Sequence, residues 1–254
     1  MEGLDPIDQL LNNKQISHHF QPLYVLSDWR TYGMESFIRF QDMNPEQLFR
    51  MAKEKNQLYV LDTKSVFQSV KTYFKSGMEK TLFLNVFPST LMNPAFFDFV
   101  KQLGSEFPLF KQRVVFEINE AEPIEDISEL RKAIVRLREE GIRFALDDFG
   151  KGSSNISTLI ELEPEYIKLD KYFAEGLHQS KQKQFFIESI LDYCKDQMQL
   201  ILEGIETAKD LAMAKSIGVP IAQGFLLNEP KDLRDLIKEQ RDFPLNLKLS
   251  LYNK

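Results

Sequence analysis

The chain is poor in the residues that several common chemistries require. Cys194 is its only cysteine, so no internal disulfide can form and a reducing cytoplasm is the expected compartment. The three histidines, His18, His19 and His178, have neither metal-ligand nor triad spacing and are expected to be structural or surface residues. There is no Gly-x-Ser-x-Gly elbow, which argues against the usual serine hydrolase. No apolar run approaches the ~18 residues of a membrane span. The opening MEGLDPIDQLLNNKQ is acidic and lacks a continuous apolar core, so no secretory signal is expected. Positive charge is also scarce, with 32 Lys and Arg against 38 Asp and Glu and a net charge of −6. That balance leaves no basic stripe for a DNA or RNA duplex. Gly150-Lys151-Gly152-Ser153 lacks Walker A spacing, and Asp148-Phe149-Gly150 has no kinase catalytic or glycine-rich loop beside it.

What is present is enough for a full core, with 43% apolar residues in 254. Strand-like apolar runs recur at 18–26, 31–40, 81–87, 114–119, 142–148, 166–170, 199–204 and 221–227. Helix-like stretches separate most of them, at 46–76, 94–103, 125–140, 182–197, 207–217 and 231–240. In one of these, Ile127, Leu130, Ile134 and Leu137 share a helical face, and Gly141 follows as a stop. Strands alternating with helices predict an α/β fold with a mostly parallel sheet. Eight strands in about 230 residues favour closure into a (β/α)₈ barrel. The first two runs are separated only by Ser27 to Arg30, too short for a parallel crossover, so the first strand should be antiparallel. No repeat or Gly/Ser linker is visible. One barrel domain over 1–240 is therefore expected, followed by a tail at 241–254 in which leucine alternates at 245, 247, 249 and 251 as a candidate extra strand.

Five segments share one pattern: ESFIR (35–39), FEINE (116–120), LDDFG (146–150), YIKLD (166–170) and LEGIE (202–206). Each places a charged residue at or just past the end of an apolar strand, where burial without a partner costs several kcal/mol. Reactive groups of a barrel gather at these C-terminal strand ends. Read in order they are Glu35, Asn85, Glu117, Asp147 with Asp148, Lys168, Glu203 and Gln223. Strand alternation puts Val115, Glu117 and Asn119 on one face, and likewise Ala145 with Asp147 and Tyr166 with Lys168 and Asp170. Carboxylates with one amide oxygen are hard ligands suited to Mg²⁺ or Mn²⁺. Two such ions would clamp the attacking and leaving oxygens of a phosphoryl group.

These residues resemble the EAL-domain family of cyclic di-GMP phosphodiesterases from about Phe20 to Pro230. Phe20-Gln21-Pro22-Leu23 is similar to the family's YQPI, and Glu35-Ser36-Phe37-Ile38-Arg39 stands where the family has EALLR. Asn85-Val86-Phe87-Pro88 resembles NVSP, and Glu117-Ile118-Asn119-Glu120 resembles ELTE. Asp147 to Gly150 match DDFG, Lys168-Leu169-Asp170 matches KID, Glu203 to Thr207 match EGVET, and Gln223-Gly224-Phe225 matches QGF. The resemblance implies a TIM-type barrel that hydrolyses cyclic di-GMP to linear pGpG. By it, Glu35, Asn85, Glu117, Asp147, Asp148 and Glu203 would hold two Mg²⁺ or Mn²⁺ ions, and Lys168 would help deprotonate the attacking water. Glu120 would steady the loop beginning at Asp148, and Glu206 would support the site. Gln21, Phe37, Arg39 and Gln223 would contact ligand, Arg39 facing phosphate.

The chain departs from the family in three places, one of them Asn119, which replaces the threonine of ELTE on Glu117's face, where it could alter the surroundings of a bound metal. Ala-Leu of the name motif is Ser36-Phe37. Alternation turns Ser36 toward the helix layer, where its hydroxyl needs a backbone or water partner, and turns Phe37 into the pocket, where it can stack on a base or crowd it. The loop after the aspartates reads KGSSNIS where the family has TGYSSLS, and in the family this loop links metal binding to dimerisation. These departures leave a second reading open: a receptor that binds cyclic di-GMP without hydrolysing it and acts through a protein partner. A homodimer is the other assembly that the resemblance implies.

Overall fold

The computed structural model describes residues 16–40, 43–118, 122–124, 126–150, 156–195 and 197–242. Strands form at all eight expected runs: β1 Ile16–Val25, β2 Thr31–Phe40, β3 Thr81–Val86, β4 Val114–Ile118, β5 Arg143–Phe149, β6 Tyr166–Leu169, β7 Gln199–Leu202 and β8 Ile221–Ala222. They close in chain order into a barrel. β1 is antiparallel to both β2 and β8, and the remaining neighbours pair in parallel. The architecture is an α/β barrel with an antiparallel first strand, as the short connection after β1 predicts.

The helices differ more from expectation. The stretch at 46–76 is two helices, Pro45–Glu54 and Leu58–Lys75. Asn56 between them takes a φ of 55°, a left-handed conformation through which an α-helix cannot continue. The crossover from β5 to β6 carries a short helix, Ile156–Leu162, too brief to show a period. Helix Ile127–Glu139 forms where expected, with Leu130, Ile134 and Leu137 buried and the Asp126 carboxylate accepting from the backbone N–H groups of Ser128 and Glu129. The run at 221–227 contributes only two strand residues. Beyond them the backbone turns against the β7 loop, with Ile205 N–H donating to the Gln223 carbonyl and Leu226 N–H to the Ile205 carbonyl. The alternating leucines of the tail lie outside the described residues.

Inside the barrel, Leu23, Phe83, Val115, Ala145, Tyr166, Ile201 and Ile221 pack as one apolar layer. Below it, toward the N-terminal strand ends, the Tyr32 and Tyr166 hydroxyls pair at 2.7 Å, and Arg143 donates to the Tyr166 hydroxyl at 2.8 Å. β2 adds only the partly buried Tyr32 at the edge of this layer, because its inward position is Gly33. A Cβ there would lie 2.7 Å from the Thr81 carbonyl oxygen and 2.9 Å from the Phe83 ring. The ring occupies the space a side chain would need, so this glycine is required by packing. Gly33→Ala is expected to destabilise the fold by about 1–3 kcal/mol through overpacking, measured as a lower midpoint in urea with an unchanged slope.

Candidate active site

Two residues further along each strand, toward the same end of the barrel, the apolar layer gives way to a polar one. Phe83 leads to Asn85, Val115 to Glu117, Ala145 to Asp147, Tyr166 to Lys168, Ile201 to Glu203 and Ile221 to Gln223. Gly33 leads to Glu35. Leu23 leads back to Gln21, because β1 runs the other way and pairs Gln21 directly with Glu35. The period of two along a strand is what stacks one complete layer on the other.

Lys168 is the hub of the polar layer and is fully buried. Its Nζ lies 2.7 Å from Glu117 Oε1, 2.8 Å from Asp147 Oδ1, 2.8 Å from Glu203 Oε1 and 3.2 Å from Glu35 Oε2. Asn85 Nδ2 donates to Glu35 Oε1 at 3.3 Å and to Glu117 Oε2 at 3.2 Å. Gln223 Nε2 donates to Glu35 Oε2 at 2.9 Å and to Gln21 Oε1 at 2.8 Å, and Gln21 in turn donates to the Asn228 carbonyl.

One ammonium cannot balance four carboxylates. Burial, reinforced by the Glu35 charge, raises the Glu117 carboxyl well above its ordinary value. Burial together with the charges of Asp147 and Glu35 does the same to Glu203, against the pull of Lys168. For Lys168, burial pushes the ammonium down, but the summed attraction of Asp147, Glu117, Glu203 and Glu35 outweighs it and holds the group well above the usual lysine range. The cluster therefore needs either protons or further cations. Its ligand atoms fall into two triads, Glu35-Glu117-Asp147 and Asp147-Asp148-Glu203, each with its oxygens within 4.8 Å of one another. The donors are carboxylates with one neighbouring amide, which suits a hard divalent cation.

Asp148 reaches its triad through an irregularity that alternation does not predict. Simple pleating would turn it away from Asp147. The β5–β6 register shifts between Leu146 and Phe149, and Asp148 takes a φ of 50°, so both adjacent carboxylates serve one site. Gly204, after Glu203, has a φ of 69°, and a side chain there would collide with Lys171. Glycine is what lets this strand end turn while Glu203 stays in place.

The layer is the floor of a cleft of about 760 Å³. Phe37, Arg39, Glu206 and Phe225 line it. Arg39 donates to the Ile38 carbonyl at 3.0 Å and its guanidinium lies 5.9 Å from the Phe37 ring centre. Glu206 is exposed on the cleft wall and is not among the carboxylates around Lys168. Ser36 faces helix Leu58–Lys75 as expected, but its partner is a side chain and not backbone or water: Ser69 Oγ donates to Ser36 Oγ at 2.6 Å. Glu120, Asn119 and the loop 151–155 lie outside the described residues.

Some residues around the site escaped the sequence reading. Asp62 is buried, accepts the Phe87 backbone N–H at 3.0 Å, and so anchors the turn that follows Asn85. Burial pushes its carboxyl up to about 7. The available signal was an acid at a core position in the spacing Leu58, Asp62, Val66, Ser69, Tyr73. His18, expected to be structural or at the surface, is buried and lines the cleft.

The raised carboxyls give a signed expectation for the metal-free protein. A carboxyl raised on folding stabilises the fold below its unfolded value, and that stabilisation is lost as pH rises through the raised value. Lys168 contributes no loss in this range, because it too is raised and titrates only in alkali. Between about pH 5.5 and about pH 8 the metal-free melting temperature should therefore fall, and the rise produced by Mn²⁺ should grow. Calorimetric melting at the two pH values with EDTA or Mn²⁺ checks both.

The EAL domain model matches residues 5–230 of the chain. A probable cyclic di-GMP phosphodiesterase of Escherichia coli, PdeB, is 23% identical over 240 residues, covering 91% of this chain and 46% of the relative. The cyclic di-GMP phosphodiesterase RocR of Pseudomonas aeruginosa is 28% identical over 229 residues, covering 87% of this chain and 58% of the relative. The chain thus spans about half the length of these curated relatives. Among solved structures, the calcium and cyclic di-GMP complex of Klebsiella pneumoniae BlrP1 superposes with a TM-score of 0.79 at 26% identity, over 86% of this chain and 56% of that one. With its TIM-type barrel and its match over nearly the whole length, the chain belongs to the EAL domain family.

Proposed function

We propose that the chain is a metal-dependent phosphodiesterase that hydrolyses cyclic di-GMP to linear pGpG. The observation that carries this reading is the pair of carboxylate triads sharing Asp147 beside a buried lysine. Glu35, Glu117 and Asp147, with Asn85, would hold one Mg²⁺ or Mn²⁺, and Asp147, Asp148 and Glu203 would hold a second. Bound ions of this kind lower the pKa of water and neutralise charge on a phosphoryl group.

The chain's own groups supply the rest. Lys168 is placed at the centre of the ligand set to take a proton from the attacking water. The carboxylates that hold it charged are the same ones offered to the cations. Compensation of their charge would remove the attraction that holds Lys168 charged and leave burial, which favours the neutral amine. Gln223, itself paired with Gln21, donates to Glu35 Oε2, the same oxygen that Lys168 contacts, and so helps to fix the orientation of this carboxylate. Arg39 is the cation at the cleft wall for a ligand phosphate, and Phe37 offers a ring face for a base. By the family resemblance, Glu120 would steady the loop beginning at Asp148 and Glu206 would support the site.

Glu35→Ala and Lys168→Ala should each lower turnover by about 10²–10⁴-fold or more, with EDTA abolishing it. Production of pGpG from purified protein in Mn²⁺, followed by chromatography, checks this. No pGpG from the unaltered chain would remove the hydrolytic reading.

The second reading, a receptor that binds cyclic di-GMP and acts through a partner, is favoured by one observation. Phe37 lines the cleft beside Glu35, and Arg39 rests on the backbone and near that ring. Calorimetry showing binding in both Mg²⁺ and Mn²⁺ without any product would select it.

A further inference from the structure

The cleft continues behind β2. β2 and β3 pair only from Gly33–Thr81 to Ser36–Leu84, although β2 runs on to Phe40 and β3 to Val86. Past Ser36 the two strands no longer pair. The cavity that touches Glu35 and Phe37 on the inner face of β2 is lined on its outer face by His18, Ser36, Ser65 and Ser69.

These four side chains form a neutral polar patch where β1 and β2 meet the helix Leu58–Lys75, whose buried face also carries Asp62. Ser69 Oγ donates to Ser36 Oγ, and Ser65 Oγ pairs with His18 Nε2 at 3.0 Å. Ser65 and Ser69 are one helical turn apart, while His18 and Ser36 sit on paired strands, so the two hydrogen bonds lie side by side. His18 is 6% exposed, and its Nδ1 has no hydrogen-bond partner. Leaving such a buried atom unserved is costly. Burial and the nearby Arg39 charge hold the ring's pKa down to about 3, so it is neutral and offers one donor and one acceptor. Apolar Val66 and Leu84 line the same space, and Phe49 and Phe87, with ring centres 5.0 Å apart, line the cavity as well.

We propose that this annex is a base-edge subsite: it takes one nucleobase of a bound guanine dinucleotide, its edge toward His18, Ser36, Ser65 and Ser69 and its faces against the apolar wall. The chemistry selects a flat, neutral heterocycle that alternates donors and acceptors. A phosphate would find no cation among the four groups. Arg39, close enough to act on His18 and lining the same cavity, is placed for the attached phosphate. The identity of the ligand rests on the reading given above, but the subsite does not require turnover.

The test is calorimetric binding of cyclic di-GMP and cyclic di-AMP in Ca²⁺, for the unaltered protein, His18→Leu and Ser69→Ala. Each variant should raise the Kd for cyclic di-GMP roughly tenfold and narrow its preference over cyclic di-AMP. His18→Leu takes the partner from Ser65 and Ser69→Ala the partner from Ser36, so each should lower the melting temperature slightly, and the narrowed preference is the readout that a merely structural role would not move. Unchanged Kd and preference in both variants, with pGpG still produced, would mean a water-filled gap and overturn the subsite while leaving the hydrolytic reading intact. Loss of preference in the variants of a protein that makes no pGpG would support the subsite and overturn hydrolysis. Failure of the unaltered protein to bind either dinucleotide would overturn both.

Discussion

Four carboxylates converge on the buried ammonium of Lys168, and much of the barrel serves to keep them there. Like charges at this separation in a low-dielectric interior repel strongly, so the cluster persists only because its backbone positions are fixed from below. The apolar layer from Leu23 to Ile221 does this. Each charged side chain stands two residues beyond a packed apolar one, and none can retreat without breaking the layer beneath it. The repulsion that folding leaves in place is the same quantity that makes the site receptive to divalent cations.

Local departures from ideal geometry occur where this arrangement demands them. Asp148 sits at positive φ next to a register shift, which lets two consecutive residues face one site. Gly33 yields its space to Phe83, Gly204 turns the chain past Lys171, and the backbone beyond β8 folds onto Ile205. Asp62 reaches from a helix to secure the Phe87 amide after Asn85. Such features hold the carboxylates more firmly than strand ends alone could, because each adds a constraint from a different element.

The wall of the cleft is chemically unlike its floor. The floor is charged and satisfied only in part, whereas the annex behind β2 is neutral, with a single unpartnered ring nitrogen. β2 connects the two: Glu35, Phe37 and Arg39 face the cleft interior, and Ser36 and Ile38 face the helices. One strand thus carries Glu35, Phe37 and Arg39 on one face and Ser36 on the other, and it parts from β3 past Ser36, where the cavity touches both faces.

The eight apolar runs and the four-residue link after the first determined the barrel and its antiparallel strand, because alternation of strand and helix leaves few ways to bury so many strands. The charged ends of those runs likewise announced Glu35, Glu117, Asp147, Lys168 and Glu203, since period-two alternation needs no tertiary information. Other features were decided only in three dimensions. The split at Asn56, the inward turn of Asp148, the early end of β8 and the Ser36–Ser69 bond depend on φ values and on partners that sequence spacing does not encode. His18 and Asp62 are the sharpest cases. Each reads as an isolated polar residue along the chain, and each acquires its meaning from groups that lie 47 and 25 positions away, brought into contact only when the helix Leu58–Lys75 packs against β1, β2 and β3.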